Sequence, residues 1–479
     1  MTLRDLFPDF DHKTPDAEVT GITADSRKVS AGFVFAALKG VQADGRTYIP
    51  QAIEQGAVAI LGHDLQDDLP VAAIDVEEPR LALAKASARL YPEQPANMVA
   101  VTGTNGKSST VDFLRQIWEH AGRRAASLGT LGAVGPSGAI DLGHTTPDPV
   151  AIHQTLQSLA RDGVTHAAME ASSHGLAQYR LDGVELAAGA FTNLTQDHLD
   201  YHPTFEEYRE AKLRLVSELI PAKCPVIINA DSDERESFER AAKAAACPVI
   251  SVGWRGADLK IAELMPRATG QKLFLNWRGE EAELDLPLIG EFQALNALTA
   301  AGLALALGET FEAVLAGMGA LQPVKGRMEF VGATAEGAGV FVDYAHTPDG
   351  LDTLLRAARP HTAGQLILVF GAGGDRDTTK RPLMGGVAAR QADQVIITDD
   401  NPRSEVPADI RRAILAAAPE AVEIADRREA IFEGVRRLKT GDTLLIAGKG
   451  HETGQIIGDQ ILPFSDQDTA LAALRGEAI

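Results

Sequence analysis

"VTGTNGKSST" (residues 101–110) closes the apolar, β-branched run "NMVAVT" and opens a stretch in which Val111, Leu114, Ile117, Trp118 and Ala121 recur at helical spacing. A strand that feeds Gly103, Thr104, Asn105 and Gly106 and then a helix starting near Lys107 brings backbone N–H groups and the positive end of a helix dipole to one point. Lys107 adds a point charge for a β- or γ-phosphate, and Ser108, followed by Ser109, offers a hydroxyl to Mg²⁺. The loop is shorter than the common phosphate loop, because only Thr104 and Asn105 separate its two glycines. A plain strand-to-helix turn, with glycine for positive φ and serine as a cap, is the competing reading. The Lys-Ser pair directly behind the second glycine favours phosphate. The strand, turn and helix together predict an α/β fold with a parallel sheet.

The same grammar repeats on both sides. "HAAMEAS" (166–172), "AAGAFTNL" (187–194) and "CPVIINAD" (224–231) are apolar runs that end in polar residues, the pattern of buried parallel strands whose ends carry chemistry. Further on, "GVFVDYAHTPDG" (339–350), "QLILVFGAGGDRD" (365–377), "DQVIITDDNPR" (393–403) and "DTLLIAGKGHE" (442–452) are four more strand-then-loop units. The first block, with "GFVFAALKG" (32–40) and "QAIEQGAVAILG" (51–62), ends at the proline-bearing "LYPEQPANM" (90–98). At 479 residues several domains are expected, and these breaks predict three α/β domains, 1–95, 96–323 and 324–479.

Composition narrows the function. A formal charge of −21, without a Lys/Arg run longer than a pair, disfavours nucleic acid and anionic lipid as partners. The opening "MTLRDLFPDFDHKTPD" lacks the basic head and apolar run of a signal peptide, and no apolar stretch reaches bilayer length. A cytoplasmic protein with no membrane span is the expectation. Cys224 and Cys247, each in Cys-Pro-Val-Ile, read as small apolar residues near strand starts.

Other residues are ambiguous when read singly. Glu170 at a strand end suits a metal ion beside phosphates, while Ser172 and Ser173 also read as a helix cap. His198, between Asp197 and Asp200, is read from its type alone more often as a satisfied structural residue than as a ligand, and Lys212, on a predicted helix, as a solvated one. Arg376 and Arg403 lie in loops at strand ends, where guanidinium forks would suit a carboxylate ligand and surface turns would look the same.

The ordered set "DSRKVSAGFVFAALKG" (25–40), "ADGRTYI" (43–49), "GTNGKSS" (103–109), "TTPD" (145–148), "EASSHGL" (170–176), "FTNLTQDHLDYH" (191–202), "KGRMEF" (325–330), "DYAHTPD" (343–349), "GAGGDRD" (371–377), "DNPR" (400–403) and "GKGHE" (448–452) resembles the Mur ligases over nearly the whole chain. That family has the shortened loop. The resemblance implies a UDP-binding N-terminal module, a central ATPase domain and a Rossmann-like C-terminal domain. It also implies that ATP phosphorylates a carboxylate so that an amine can displace phosphate and form an amide.

By the same resemblance, Lys107 neutralises phosphate, and Ser108, Glu170, His198 and Lys212, the last as a carbamate, hold Mg²⁺. Asn296, Arg327, Asp343 and His346 match the family's adenine and ribose contacts. Ser26, Val41, Gln42, Ala43, Thr145, Thr146, Ser172, Gln178 and Arg180 match the UDP-muramoyl site, where His144 stands in place of an Asn found in some relatives. Asp400, Asn401, Pro402 and Arg403 resemble the signature of enzymes that add meso-diaminopimelate, with Arg376, Gly448 and Glu452 at the amino-acid end. The implied partners are therefore a UDP-muramoyl dipeptide and meso-diaminopimelate, handled by a monomer. A lysine-adding or folylpolyglutamate-type ligase, a phosphate-loop GTPase or kinase, and a non-catalytic nucleotide-binding scaffold are the alternatives.

Overall fold

Short β-branched runs become interior strands when helices cover both faces of a sheet. The computed structural model describes residues 1–9, 16–40, 43–66, 68–195 and 201–477, and it is α/β as expected. The chain forms two compact units, Met1–Ala257 with Thr299–Val314, and Asp258–Leu298 with Leu315–Ile479.

The first unit begins with four parallel strands side by side, Gly21–Thr23, Phe33–Ala36, Ala59–Gly62 and Ala72–Asp75. Alternation sends Val34, Leu61 and Ile74 to a core with Leu3, Leu6 and Leu83, and sends Phe35 and Ile60 to the other face with Ile49 and Ala52. A second sheet follows in the same unit. Its parallel strands lie in the order Val249–Gly253, Val226–Asn229, Ala188–Phe191, Asn97–Thr102, His166–Glu170 and Ala125–Gly129, with Gly132–Gly135 and Gly138–Ile140 antiparallel at the edge. Asn97–Thr102 is thus flanked by Ala188–Phe191 and His166–Glu170, and the loops leaving all three C-terminal ends meet in one crevice. The helix Lys107–His120 buries Val111, Leu114, Ile117 and Trp118, and Ala121 is its C-cap. Cys224 and Cys247 are free thiols, each two residues ahead of the paired strand positions Val226 and Val249.

His153 on the helix Pro149–Arg161 is 2% exposed, and its Nε2 is buried without a hydrogen-bond partner. Burial, opposed by a backbone bond at Asp182, lowers its pKa from 6.5 to about 4. The unfolded chain therefore binds a proton that the folded chain refuses between those values, and stability falls as pH drops through that window. The gap corresponds to about 3 kcal/mol. His153→Gln is expected to flatten the difference in urea midpoint between pH 7 and pH 4.5; an unchanged slope would contradict this assignment.

The second unit contains an antiparallel meander, Leu259–Arg267, Gly270–Trp277 and Glu280–Leu286. The sequence reading did not foresee it. A six-stranded sheet then runs Glu329–Ala333, Gly339–Asp343, Thr443–Ala447, Leu366–Phe370, Gln394–Ile397 and Val422–Glu423, parallel except for the first strand. Leu351, Leu355, Met384 and Ile414 pack on one face, and Ile431 and Ala470 on the other. Loops 371–377, 398–403 and 448–452 leave adjacent C-terminal strand ends. Among the described residues no helix is long and apolar enough to cross a membrane.

Candidate functional site

The crevice of the first unit is held open by glycine and closed by threonine. Gly106 has φ 86° and precedes the helix at Lys107, the left-handed entry that the loop needs. A Cβ on Gly103 would stand 2.0 Å from Thr192 Oγ1, so the loop lies directly on the neighbouring strand end. The Thr104 N–H donates to Asn193 O (2.8 Å), the Asn105 N–H donates to Asn193 Oδ1 (3.0 Å), and the Thr192 hydroxyl donates to Asn105 O (2.6 Å). Lys107 Nζ donates to Gly103 O (3.0 Å) and Thr104 O (2.8 Å), and Lys212 Nζ donates to Gly103 O (2.7 Å). Two lysine side chains thus share one carbonyl. Lys212 is 1% exposed on the helix Phe205–Arg214, with its Nζ 4.6 Å from the Tyr208 ring centre.

Glu170 is the second node. Its Oε1 accepts from Ser108 Oγ (2.8 Å) and from the Thr130 N–H (2.8 Å), and the residue is 2% exposed. Thr146 Oγ1 donates to Glu170 O (3.0 Å) and accepts from the Ser172 N–H (3.1 Å), while Thr145 and Thr130 hydroxyls meet at 3.0 Å. Ser172 also caps the helix Ser173–Ala177 through the Gly175 N–H, so both readings of that serine hold. Gly129 makes room for the carboxylate: a Cβ there would lie 2.0 Å from Glu170 Oε1. Sequence reading missed this glycine, because its partner lies on a different strand.

Gly129→Ala should therefore displace the carboxylate without straining the backbone. We expect turnover to fall about a hundredfold, the scale of a misplacement near 1 Å, with little change in melting temperature. Unchanged turnover would remove Glu170 from the chemistry.

His198 belongs to residues 196–200, outside the described residues, as do Val41 and Gln42. Of the remaining Mg²⁺ candidates, Ser108 and Glu170, 2.8 Å apart, form an all-oxygen pair of the kind magnesium shares with phosphate oxygens and water, while Lys212 Nζ is bonded to Gly103 O. Among the described residues no group of three His, Cys, Asp or Glu forms a protein-only metal cage.

A cavity of about 220 Å³ in the same unit is lined by Ala24, Leu38, Arg80 and Leu83 from the first sheet's module and by His144, Asp148, Pro149, Gln178 and Arg180 from the second. Arg180 donates to Thr146 O (2.5 Å) and Gln178 Oε1 (2.8 Å). Burial and then the nearby Arg80 lower its guanidinium pKa. Arg80 and Arg180 make the cavity cationic, and His144 takes a place in its wall. Ser26 starts a short 3-10 turn two residues from Ala24, and Ala43 O accepts from the Gly40 N–H.

In the second unit, Arg403 has φ 52°, and its Nη1 donates to Gly374 O (2.7 Å). A Cβ on Gly374 would meet Pro402 O at 1.9 Å, so the loops 371–377 and 398–403 are in backbone contact, with Arg376 on the exposed turn between Asp375 and Asp377. Asn401 Nδ2 donates to Glu452 Oε2 (2.8 Å), and the Asn401 N–H donates to Asp400 Oδ1 (2.7 Å). A Cβ on Gly448 would stand 2.5 Å from Asp400 Oδ2. Lys449, which sequence reading passed over, is fully buried beneath this cluster.

Asn296 binds Gln293 Oε1 (3.1 Å), and Gln293 Nε2 in turn donates to Arg327 O (3.0 Å). The Arg327 guanidinium lies 4.7 Å from the Tyr344 ring centre, and the His346 and His451 rings flank the same tyrosine. Asp343 accepts the Met328 and Ala345 N–H groups, both at 2.7 Å. Burial, reinforced by Arg327, lowers the His451 pKa to about 4, so its ring is neutral at pH 7. Arg327 Nε and His451 Nδ1 are buried without hydrogen-bond partners, a polar lining that suits a ligand.

Three family profiles match the chain in order: "Mur ligase family, catalytic domain" at residues 18–102, "Mur ligase middle domain" at 101–304, and "Mur ligase, glutamate ligase domain" at 326–450. A UDP-N-acetylmuramoyl-L-alanyl-D-glutamate--2,6-diaminopimelate ligase from Mesorhizobium japonicum is 52% identical, with all of both chains aligned. The ligase of the same name from Brucella melitensis biotype 1 is 52% identical over 96% of this chain and 94% of its own. A solved structure of a ligase of that name superposes with a TM-score of 0.75 at 31% identity, covering 99% of each chain.

Proposed function

The chain belongs to the Mur ligase family, and from that premise we propose that it joins meso-diaminopimelate to the D-glutamyl γ-carboxyl of UDP-N-acetylmuramoyl-L-alanyl-D-glutamate, with ATP converted to ADP and phosphate. It is an ATP-dependent, ADP-forming amide ligase of peptidoglycan synthesis. The domain bounds of this reading are 1–95, 96–323 and 324–479, and in it the enzyme works as a cytoplasmic monomer where UDP-linked precursors are made.

A carboxylate is a poor acyl donor because oxide would have to leave. Transfer of the γ-phosphoryl group makes phosphate the leaving group, but two anions must first approach head-on. Lys107 and the N–H groups at the N-terminus of the helix Lys107–His120 hold the triphosphate, the Thr104 and Asn105 N–H groups being donated to Asn193, and Glu170 fixes the Ser108 hydroxyl beside it. Mg²⁺, when bound with the nucleotide, neutralises phosphate charge through oxygen ligands such as Ser108, Glu170 and a carbamylated Lys212. His198 is assigned the same role. Arg80, Arg180 and Gln178 grip the UDP-muramoyl end, and Asn296, Arg327, Asp343 and His346 take the adenosine.

The observation that carries the choice of amino acid is Arg403 beside the Asn401–Glu452 pair: a guanidinium and a carboxylate acceptor on adjacent loops match a zwitterionic terminus. Lysine lacks the carboxylate at that end. Purified enzyme given the UDP-dipeptide and ATP should release ADP only when diaminopimelate is added. Release without an amino acid, or equal release with lysine, would overturn the reading.

A further inference from the structure

Lys449 is enclosed completely, yet one of its partners faces solvent. Its Nζ donates to Asn401 Oδ1 (2.9 Å) and to Glu452 Oε2 (3.0 Å), and the Glu452 side chain is 32% exposed. The contrast with the nearby Arg427–Asp466 pair is informative. That pair is bidentate, at 2.7 and 2.8 Å, with both side chains at 0% exposure, a closed structural unit. A buried cation tied to a half-open carboxylate costs desolvation without sealing the core, so its presence calls for a reason other than stability.

The hydrogen-bond polarity supplies one. An ammonium and the Ile456 N–H can only donate, and both point at Asn401 Oδ1, at 2.9 and 3.0 Å. This fixes the amide orientation and leaves Nδ2 to donate to Glu452 Oε2. Glu452 Oε2 then carries two donors, so the other carboxylate oxygen, Oε1, is the acceptor left for a ligand.

Resting on the function proposed above, we propose that Lys449 is a positioning residue for amino-acid recognition: it locks the Asn401 amide and aims the second oxygen of Glu452 at the ammonium of the incoming amino acid. Lys449 makes no contact with the reacting atoms; it acts through its two partners.

The test compares steady-state constants of Lys449→Met, Lys449→Gln, Glu452→Gln and the Lys449→Met/Glu452→Gln pair, after ADP release dependent on diaminopimelate has been verified in the wild type. Lys449→Met is expected to raise KM for diaminopimelate about tenfold or more, while KM for ATP and for the UDP-dipeptide moves less than about twofold. The double variant should be no worse than Glu452→Gln alone, because one mutation removes what the other acts through. Additive effects, equal rises in all three KM values, or failure of both Lys449 variants to fold would overturn the proposal and make Lys449 a core residue. Loss of diaminopimelate dependence in the wild type would instead overturn the function itself.

Discussion

Lys212→Ala is expected to lower the ligation rate about a thousandfold, the scale of losing a preorganised electrostatic contact, and to regain part of it in millimolar acetate or propionate. The observation behind this is the crowding of cationic side chains at one oxygen: Lys212, 1% exposed, and Lys107 both donate to Gly103 O. On the proposed carbamylation, addition of CO₂ to the neutral amine would form an N–C bond and release a proton, turning a repelling cation into an anion. The nitrogen would keep one N–H for the bond to Gly103 O. A short carboxylic acid seated in the alanine variant's vacated volume would supply the missing oxygens. Full activity of Lys212→Ala with no added acid would remove the carbamate from the mechanism.

Replacing Arg403 with Ala should raise KM for diaminopimelate about a hundredfold and leave KM for ATP unchanged. Its guanidinium is held by Gly374 O, and the close approach of Gly373, where a Cβ would lie 2.8 Å from Nη1, leaves the fork one pose. Residue 403 has φ 52°, a strain that arginine, alanine and lysine share, so Arg403→Lys isolates charge from fork geometry. Lysine keeps the charge but not the bidentate fork, so a KM near the alanine value assigns recognition to geometry. Equal rises for ATP and diaminopimelate in both variants would reject the assigned role.

Much of the candidate site's placement at strand ends and loops was legible because its parts are local. Gly103 to Ser108 is a contiguous run whose strand, turn and helix can be read from spacing, and the structure starts its helix at Lys107. The strand-end loops 371–377, 398–403 and 448–452 were visible for the same reason, since each follows a short apolar run. The meander Leu259–Arg267, Gly270–Trp277 and Glu280–Leu286 went unread because its exposed face replaces apolar runs with mixed, charged sequence.

The sequence by itself determined which residues stand at the ends of which strands, because the periods of strand and helix are set by nearest neighbours along the chain. Only the tertiary structure decided that Gly129 yields its Cβ space to Glu170, that Lys212 reaches the carbonyl Lys107 already uses, and that Lys449 lies sealed under Asn401 and Glu452. Those pairings follow from the order of strands in the sheets, and that order is fixed by burial of whole faces, a sum over the chain that no short window contains.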